Sequence, residues 1–154
     1  MSEDAGTETV PGSPTEVEAV MLLCDSAQGV GGKLYILGGG WTQVSVPPQG
    51  GLVMGLAIKL AVPWDRANEQ IPVLIRLLSD QGESVLDPDG NAIEAQTQLE
   101  LGRPLGSQRG TPLDACLALN FVGLPLAEEG GYVWVLEADG NVKCRAPFRV
   151  VGQG

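Results

Sequence analysis

The sequence predicts an all-β protein, an antiparallel β-sandwich of about eight or nine strands. Its 22 glycines and 11 prolines are spread along the whole chain, which indicates many turns. Several apolar segments between these turns alternate with period two, and no segment has a convincing helical period. Many short strands divided by turns are typical of two antiparallel sheets packed face to face.

The chain divides into a predicted acidic tail, residues 1–15, and a single domain, residues 16–154. The tail is polar, rich in Ser, Thr, Pro and Gly, and without periodicity, which predicts disorder. Residues 17–24 follow as a nearly continuous apolar run. Such a run predicts a strand that is covered on both faces or that crosses from one sheet to the other.

A glycine turn leads into the apolar residues 33–37, which we predict to be a core strand. Three glycines, residues 38–40, come next and predict a bulge or bend where another group approaches closely. This bend would place Trp41 against a neighbouring sheet, and we expect Gly39→Val to destabilise the fold.

Five segments in the middle of the chain are predicted strands. Residues 52–62 have a clear period of two, with large apolar side chains at the even positions and smaller or polar ones at the odd positions. Residues 71–78 and 83–86 predict a hairpin, and a helical turn could fit in the loop before them. Residues 93–101 alternate between apolar and polar side chains, which predicts a half-exposed strand, and residues 113–121 predict a further strand with an inward apolar face.

The chain closes with a predicted hairpin, residues 132–136 and 142–151. A two-residue Asp-Gly loop would place Glu137 opposite Val142. A three-residue loop would gather the large apolar side chains on one face and place Glu137 opposite or beside Lys143. We favour the three-residue loop because burial decides register. The inward face would then hold Tyr132, Trp134, Leu136, Cys144, Ala146 and Phe148.

Composition argues against several classes of function. The formal net charge is -10 and the basic residues are scattered, which disfavours a nucleic-acid surface. The chain has no histidine, which removes the commonest general base, the serine and cysteine triads that use histidine, and zinc sites with histidine ligands. No apolar run is long enough to span a membrane. We expect a cytoplasmic protein with no metal and no cofactor.

The three cysteines are far apart in the sequence, and each lies in an apolar, strand-like segment. We expect buried structural thiols. A disulfide between Cys24 and Cys144, or between Cys116 and Cys144, is the alternative.

The motif of residues 32–41, Gly-Lys-Leu-Tyr-Ile-Leu-Gly-Gly-Gly-Trp, resembles the opening of a family of uncharacterised bacterial proteins known only as a domain of unknown function. Further similar positions are Val62-Pro-Trp64, Gly102-Arg-Pro104 and the final segment from Gly131 to Val150. The resemblance covers nearly all of the predicted domain. It implies a compact β-sandwich and no activity, cofactor or catalytic residue.

Candidate binding residues are Trp64, Arg103 and Arg109. Trp64 lies in a predicted loop, where an aromatic ring can stack on a sugar. The two arginines lie in the longest loop of the predicted domain, residues 102–112, where an anion could bind. Solvation, or pairing with the many carboxylates, is the simpler interpretation of these arginines.

The leading hypothesis is a non-enzymatic β-sandwich that acts through protein contacts, either as a homo-oligomer or as a component of a larger assembly. A carbohydrate- or anion-binding module that uses Trp64, Arg103 and Arg109 is the second hypothesis. An enzyme without histidine is the third. No residue pair has the spacing of catalytic carboxylates, because Glu94 and Glu100 would lie about 20 Å apart on a strand.

Overall fold

A computed structural model describes residues 14–48, 51–126 and 128–152. The predicted acidic tail therefore lies outside the described residues except for Pro14 and Thr15. The described chain is all-β apart from one turn of 3-10 helix, Trp64–Arg66, in the loop where a helical turn was expected. Its strands are β1 (Glu18–Val30), β2 (Lys33–Gly39), β3 (Gln43–Ser45), β4 (Leu52–Val62), β5 (Ile71–Ser79), β6 (Glu94–Leu99), β7 (Leu113–Leu124), β8 (Gly130–Ala138) and β9 (Asn141–Val151).

The strands form two sheets, which confirms the predicted sandwich. The first sheet has the order β2-β1-β4-β7, and the second has the order β3-β9-β8-β5-β6. All pairings are antiparallel except that of β3 with β9, which is parallel. The short strand β3 was not predicted, because three residues after the glycine bend are too few to show a period.

The core lies between the two sheets and contains the inward residues that period two predicts. Trp134 is fully buried at its centre, where its indole stacks on Phe121 with 4.8 Å between ring centroids. The large side chains at the even positions of β4 are buried, namely Leu52, Met54, Leu56, Ile58, Leu60 and Val62. Burying a side chain of this size contributes about 1.5–3 kcal/mol, so β4 and β8 anchor the sandwich.

Strand β1 is longer than predicted, and neither prediction for its apolar run is correct. Val20 and Leu22 are exposed while Met21 and Leu23 are buried, so the first half has one covered face. The strand does not end near Cys24 but continues to Val30, pairing first with β4 and then with β2.

The second half of β1 turns across the outer face of the first sheet and reaches β7. A Cβ on Gly55 of β4 would lie 3.1 Å from the Ser26 Cα, and a Cβ on Gly29 would lie 2.9 Å from the Cys116 carbonyl oxygen. The Asn120 amide of β7 completes this contact: it accepts from the Ala27 N–H at 3.0 Å and donates to the Ala27 C=O at 2.9 Å.

The β1–β2 hairpin therefore covers part of the outer face and creates a second small apolar cluster. The buried members of this cluster are Cys24, Ala27 and Ala57, with Leu34 and Ala118 against them. Small side chains suit this place because the two backbones lie so close together.

The glycine bend at the end of β2, residues 38–40, directs the chain towards the second sheet, as predicted. Gly38 has φ +62°, and the carboxylate of Asp25 occupies the space where its Cβ would lie. The same carboxylate accepts a hydrogen bond from Trp41 Nε1 at 3.2 Å. Trp41 then packs edge-on against Phe148 of β9, with ring centroids 6.5 Å apart.

The predicted strand at residues 83–86 forms only isolated bridges, Leu78 with Ser84 and Leu86 with Ala92. The predicted hairpin of residues 71–78 and 83–86 is therefore confirmed only next to its turn, where the Ser79 N–H donates to the Glu83 C=O at 2.8 Å and the Val85 N–H donates to the Leu77 C=O at 3.1 Å. Along the rest of its length β5 pairs with β6 and β8 instead. Strand β6 keeps the expected half-exposed pattern, but it is shorter than residues 93–101.

The closing hairpin combines the two registers that the sequence left open. Its loop has two residues, Asp139 and Gly140, both with positive φ, so Glu137 lies opposite Val142. The predicted three-residue loop is therefore wrong. A register shift between Leu136 and Glu137 then restores the predicted inward face, with Leu136 opposite Cys144. Burial still decides the register, but a bulge achieves it.

The three cysteines are free thiols, so neither proposed disulfide is present. Cys24 is buried as expected, whereas Cys116 and Cys144 are half-buried. Burial raises the pKa of the Cys24 and Cys144 thiols, because the thiolate would lose its hydration. These thiols are consequently poor nucleophiles.

Candidate functional site

The structure brings Trp64 and Arg103 into direct contact. The Arg103 guanidinium lies over the Trp64 ring, 4.3 Å from the ring centroid. Its Nε and Nη2 groups also donate to the Trp64 carbonyl oxygen at 3.3 and 2.9 Å. This cation–π contact fastens the long loop to the 3-10 turn and covers one face of the indole.

Arg109 lies further along the same loop and is exposed. Its side chain makes no hydrogen bond or ion pair with another described residue, and it takes no part in the contact between Arg103 and Trp64. The groove in this loop has a volume of about 270 Å³, which is just below the roughly 300–1,000 Å³ of typical small-molecule pockets. It is lined by Leu101, Gly102, Pro104, Ser107, Thr111, Pro112, Leu113 and Asp114.

A second candidate surface lies on β2, where the sequence predicted a core strand. That prediction is wrong. Tyr35, Ile36 and Leu37 are exposed by 56, 42 and 69% of their surfaces, and only Leu34 is half-buried. The hairpin rests on the outer face of the first sheet, so its other face and its free edge point towards solvent. We call residues Lys33–Gly39 with this free edge the β2 edge.

The other sheet edges in the described part of the chain are β7, β3 and β6, and the β2 edge differs from the last two. Strand β3 is only three residues long, and β6 presents polar side chains such as Gln96 and Gln98. Short strands and polar side chains are the usual protection of a sheet edge against pairing with other chains. In β2, by contrast, three consecutive apolar side chains are exposed and the only charge is that of Lys33.

The apolar character extends beyond β2 over the first sheet. Val20, Leu22, Val30, Val53 and Val122 are also exposed, all on strands of this sheet. Only Leu86, Leu105 and Val142 among the exposed large apolar residues of the described chain lie elsewhere. A groove of about 400 Å³ runs beside the β2 edge, between the hairpin and Asn120. Exposed apolar surface of this kind commonly marks a protein contact.

Sequence reasoning missed this surface because an apolar run looks the same in a core strand and in an edge strand. The hairpin register shows which of its sides faces solvent, because Tyr35 pairs with Gln28 and Leu37 pairs with Ser26. The polar residues at 26 and 28 are the only signal in the sequence, and they become informative once the hairpin register is known.

The described residues contain no arrangement for a metal ion and no membrane-spanning helix. No cluster of Cys, Asp and Glu side chains there is arranged to hold a metal ion. No helix in the same residues is long and apolar enough to cross a membrane.

No curated protein matches this sequence. Two solved structures resemble the chain in fold at low identity. One is the alkylpurine DNA glycosylase AlkC of Pseudomonas fluorescens bound to DNA with an abasic site analog, at 11% identity and a TM-score of 0.48. The match covers 88% of this chain but only 30% of the glycosylase. The other is an immunoglobulin-like protein of Pseudomonas aeruginosa, at 15% identity and a TM-score of 0.45, covering 88% of this chain and 97% of that one.

A known family matches most of the chain, residues 19–151. This range begins at the second residue of β1 and ends at the last residue of β9, so it includes both sheets and the β2 edge. The chain belongs to the family of unknown function DUF6941.

Proposed function

We propose that this protein is a non-enzymatic binding module whose β2 edge makes contact with another protein chain, as part of a homo-oligomer or of a larger assembly. The observation that carries the proposal is the run of exposed apolar residues, Tyr35, Ile36 and Leu37, on a strand that pairs with β1 on one side and with no strand of the described chain on the other. An added strand would pair with the free backbone groups of β2 and cover these side chains.

The hairpin is held firmly enough to serve as a template. The Asn120 side chain forms hydrogen bonds with both the N–H and the C=O of Ala27. Gly55 and Gly29 allow the hairpin to lie in close contact with β4 and β7. A partner strand would therefore meet a pre-formed edge, which reduces the entropy lost on binding.

Capture of proteins from the source cells, by photocrosslinking from position 35, tests this proposal. We expect a crosslinked protein product when the photoreactive residue replaces Tyr35. We expect none when it replaces Thr97 on β6, which is an edge strand of the second sheet. The same product should disappear when Leu37→Lys is added, because a charge on this edge opposes strand pairing. Equal labelling from both positions would contradict the proposal.

A second candidate function is the binding of a carbohydrate or an anion at the long loop. It is supported by the exposed Arg109 and by the pairing of Arg103 with Trp64, which presents a guanidinium and an indole together. A ligand of the folded state must raise the melting temperature. We therefore expect an active sugar or inorganic phosphate to raise Tm in the wild type and not in Arg103→Ala or Arg109→Ala, with Arg145→Ala as the control. No rise across such a panel would contradict this candidate.

A further inference from the structure

We infer that the occupant of the β2 edge is the β2 edge of a second copy of this chain, paired antiparallel with Ile36 on the two-fold axis. This inference rests on the proposed function and names the partner. Its basis is the distribution of charge and apolar side chains along Lys33–Gly39.

A two-fold axis makes the two strands antiparallel and makes each contact occur twice. With Ile36 opposite itself, Tyr35 of each copy lies opposite Leu37 of the other. Cross-strand pairs of an aromatic and an aliphatic side chain are favourable in antiparallel sheets. Both side chains are exposed in the single chain, by 56 and 69%, and both point to the solvent side of the hairpin with Gln28 and Ser26.

The separation of the two lysines favours this register over the shift that places Tyr35 on the axis and over a parallel arrangement. With Ile36 on the axis, each Lys33 lies three residues from the axis and the two lie on opposite sides of it, so the ammonium groups are about 20 Å apart at 3.3 Å per residue. A shift that placed Tyr35 on the axis would put Lys33 against Leu37. A parallel arrangement would put the two lysines side by side.

The edge is also the place where two such acidic chains can meet. The net charge of -10 makes copies repel at long range, but β2 has no carboxylate. Asp25, the acidic residue of the paired segment of β1, is turned to Trp41 and held by its indole N–H. When two β2 edges meet, no carboxylate of one β2 strand faces a carboxylate of the other, so the strands themselves do not repel each other through acidic side chains. Because added salt screens the remaining repulsion, association should strengthen between 0.01 and 0.2 M NaCl, over which the Debye length falls from about 30 to about 7 Å.

Sedimentation velocity over a wide range of protein concentrations tests the inference, with circular dichroism to show that every variant is folded. We expect a monomer–dimer equilibrium for the wild type. Tyr35→Lys alone and Leu37→Glu alone should each weaken it by roughly tenfold or more, because each places a charge against an apolar partner twice per dimer. Leu105→Lys, at a fully exposed apolar residue outside the edge, should leave it unchanged.

The double variant Tyr35→Lys with Leu37→Glu decides the register. In the inferred pairing, the introduced lysine of each copy lies opposite the introduced glutamate of the other, so association should return towards the wild-type value. Ile36→Cys should in addition form a disulfide-linked dimer under mild oxidation, since residues opposite each other across antiparallel strands have the Cα separation that a disulfide needs. Leu34→Cys, which would lie opposite Gly38, should not.

The outcomes separate this inference from the proposed function. A wild type that stays monomeric at every concentration, or a double variant that does not recover, overturns the pairing of two β2 edges in this register. The proposed function would still stand in that case if position 35 crosslinks to a different protein. Loss of both the dimer and the crosslinked product would remove the proposed function as well.

Discussion

The glycine bend at the end of β2 can be tested directly, because its two adjacent glycines, Gly38 and Gly39, should respond differently to replacement by alanine. Gly38 has φ +62°, whereas the φ of Gly39 is not positive. An alanine at position 38 would be forced into the left-handed region, at a cost of about 1–2 kcal/mol. Its methyl group would also displace the Asp25 carboxylate and break the exposed hydrogen bond from Trp41, which contributes about 1 kcal/mol.

We therefore expect Gly38→Ala to lower the free energy of unfolding by about 2–3 kcal/mol, which corresponds to a fall in Tm of roughly 4–12 °C for a domain of this size. At Gly39 the added Cβ meets only side-chain carbons, the Ile36 Cγ2 at 2.8 Å and the Leu22 Cδ2 at 3.1 Å. Both side chains are partly exposed and can rotate away, so Gly39→Ala should change stability by less than about 1 kcal/mol. Gly39→Val should destabilise more, since the two methyl groups on its Cβ need further space.

Urea unfolding followed by circular dichroism measures the difference, provided that the slope with urea is the same in all variants. Tryptophan fluorescence gives an independent reading, since only Gly38→Ala should release Trp41 from Asp25. Equal midpoints for the two alanine variants would show that the bend is not strained as described. A larger loss at Gly39 would show that packing, and not backbone conformation, makes these glycines necessary.

Three more predictions concern other parts of the fold. Gly55→Ala should cost about 2 kcal/mol or more in urea unfolding, because a methyl group there would meet the backbone of β1. Gly102→Ala is its control, since the φ of Gly102 is not positive and an added methyl group there makes only an ordinary contact with Asn68. Arg66 holds the pKa of the Asp139 carboxyl below its usual value. Their ion pair therefore stabilises the fold at any pH above the pKa of this carboxyl in the unfolded chain, and this stabilisation is lost as the pH falls through the lower pKa of the folded state. Asp139→Asn should thus cost up to about 1 kcal/mol at pH 7 and less below pH 4, and an unchanging cost would contradict this account. Arg103→Ala should cost about 1 kcal/mol and shift the emission of the indole it covers, whereas Arg109→Ala should do neither.

The parts of the fold that could be predicted are those where one face of a strand is buried and the other is not. Alternation in residues 52–62 gave β4 at its observed bounds, and the inward position of Trp134 followed from the same reasoning. The β1–β2 hairpin could not be predicted in this way. The second half of β1 lies over β4 and β7 of the same sheet. Which of its side chains are buried therefore depends on how β1 turns and on its contacts with Gly55 and Asn120.

The candidate sites show the same division. The sequence identified Trp64, Arg103 and Arg109 as loop residues, but their arrangement depends on how the long loop folds back on the 3-10 turn. The β2 edge was hidden because no local pattern tells a strand between two neighbours from a strand with only one. Strand order is a long-range property, and it decides which apolar run is left exposed.

The pairing of Asn120 with Ala27 has a consequence for the order of folding. The two residues are 93 positions apart, so the β1–β2 hairpin can form from local contacts long before β7 is in place to hold it. During that interval both faces of the hairpin are uncovered, including Leu34 and Ala27. An apolar strand that is free on both faces in a folding intermediate is a starting point for aggregation. We therefore expect Asn120→Ala to lower the yield of refolding at high protein concentration by more than its loss of equilibrium stability would explain.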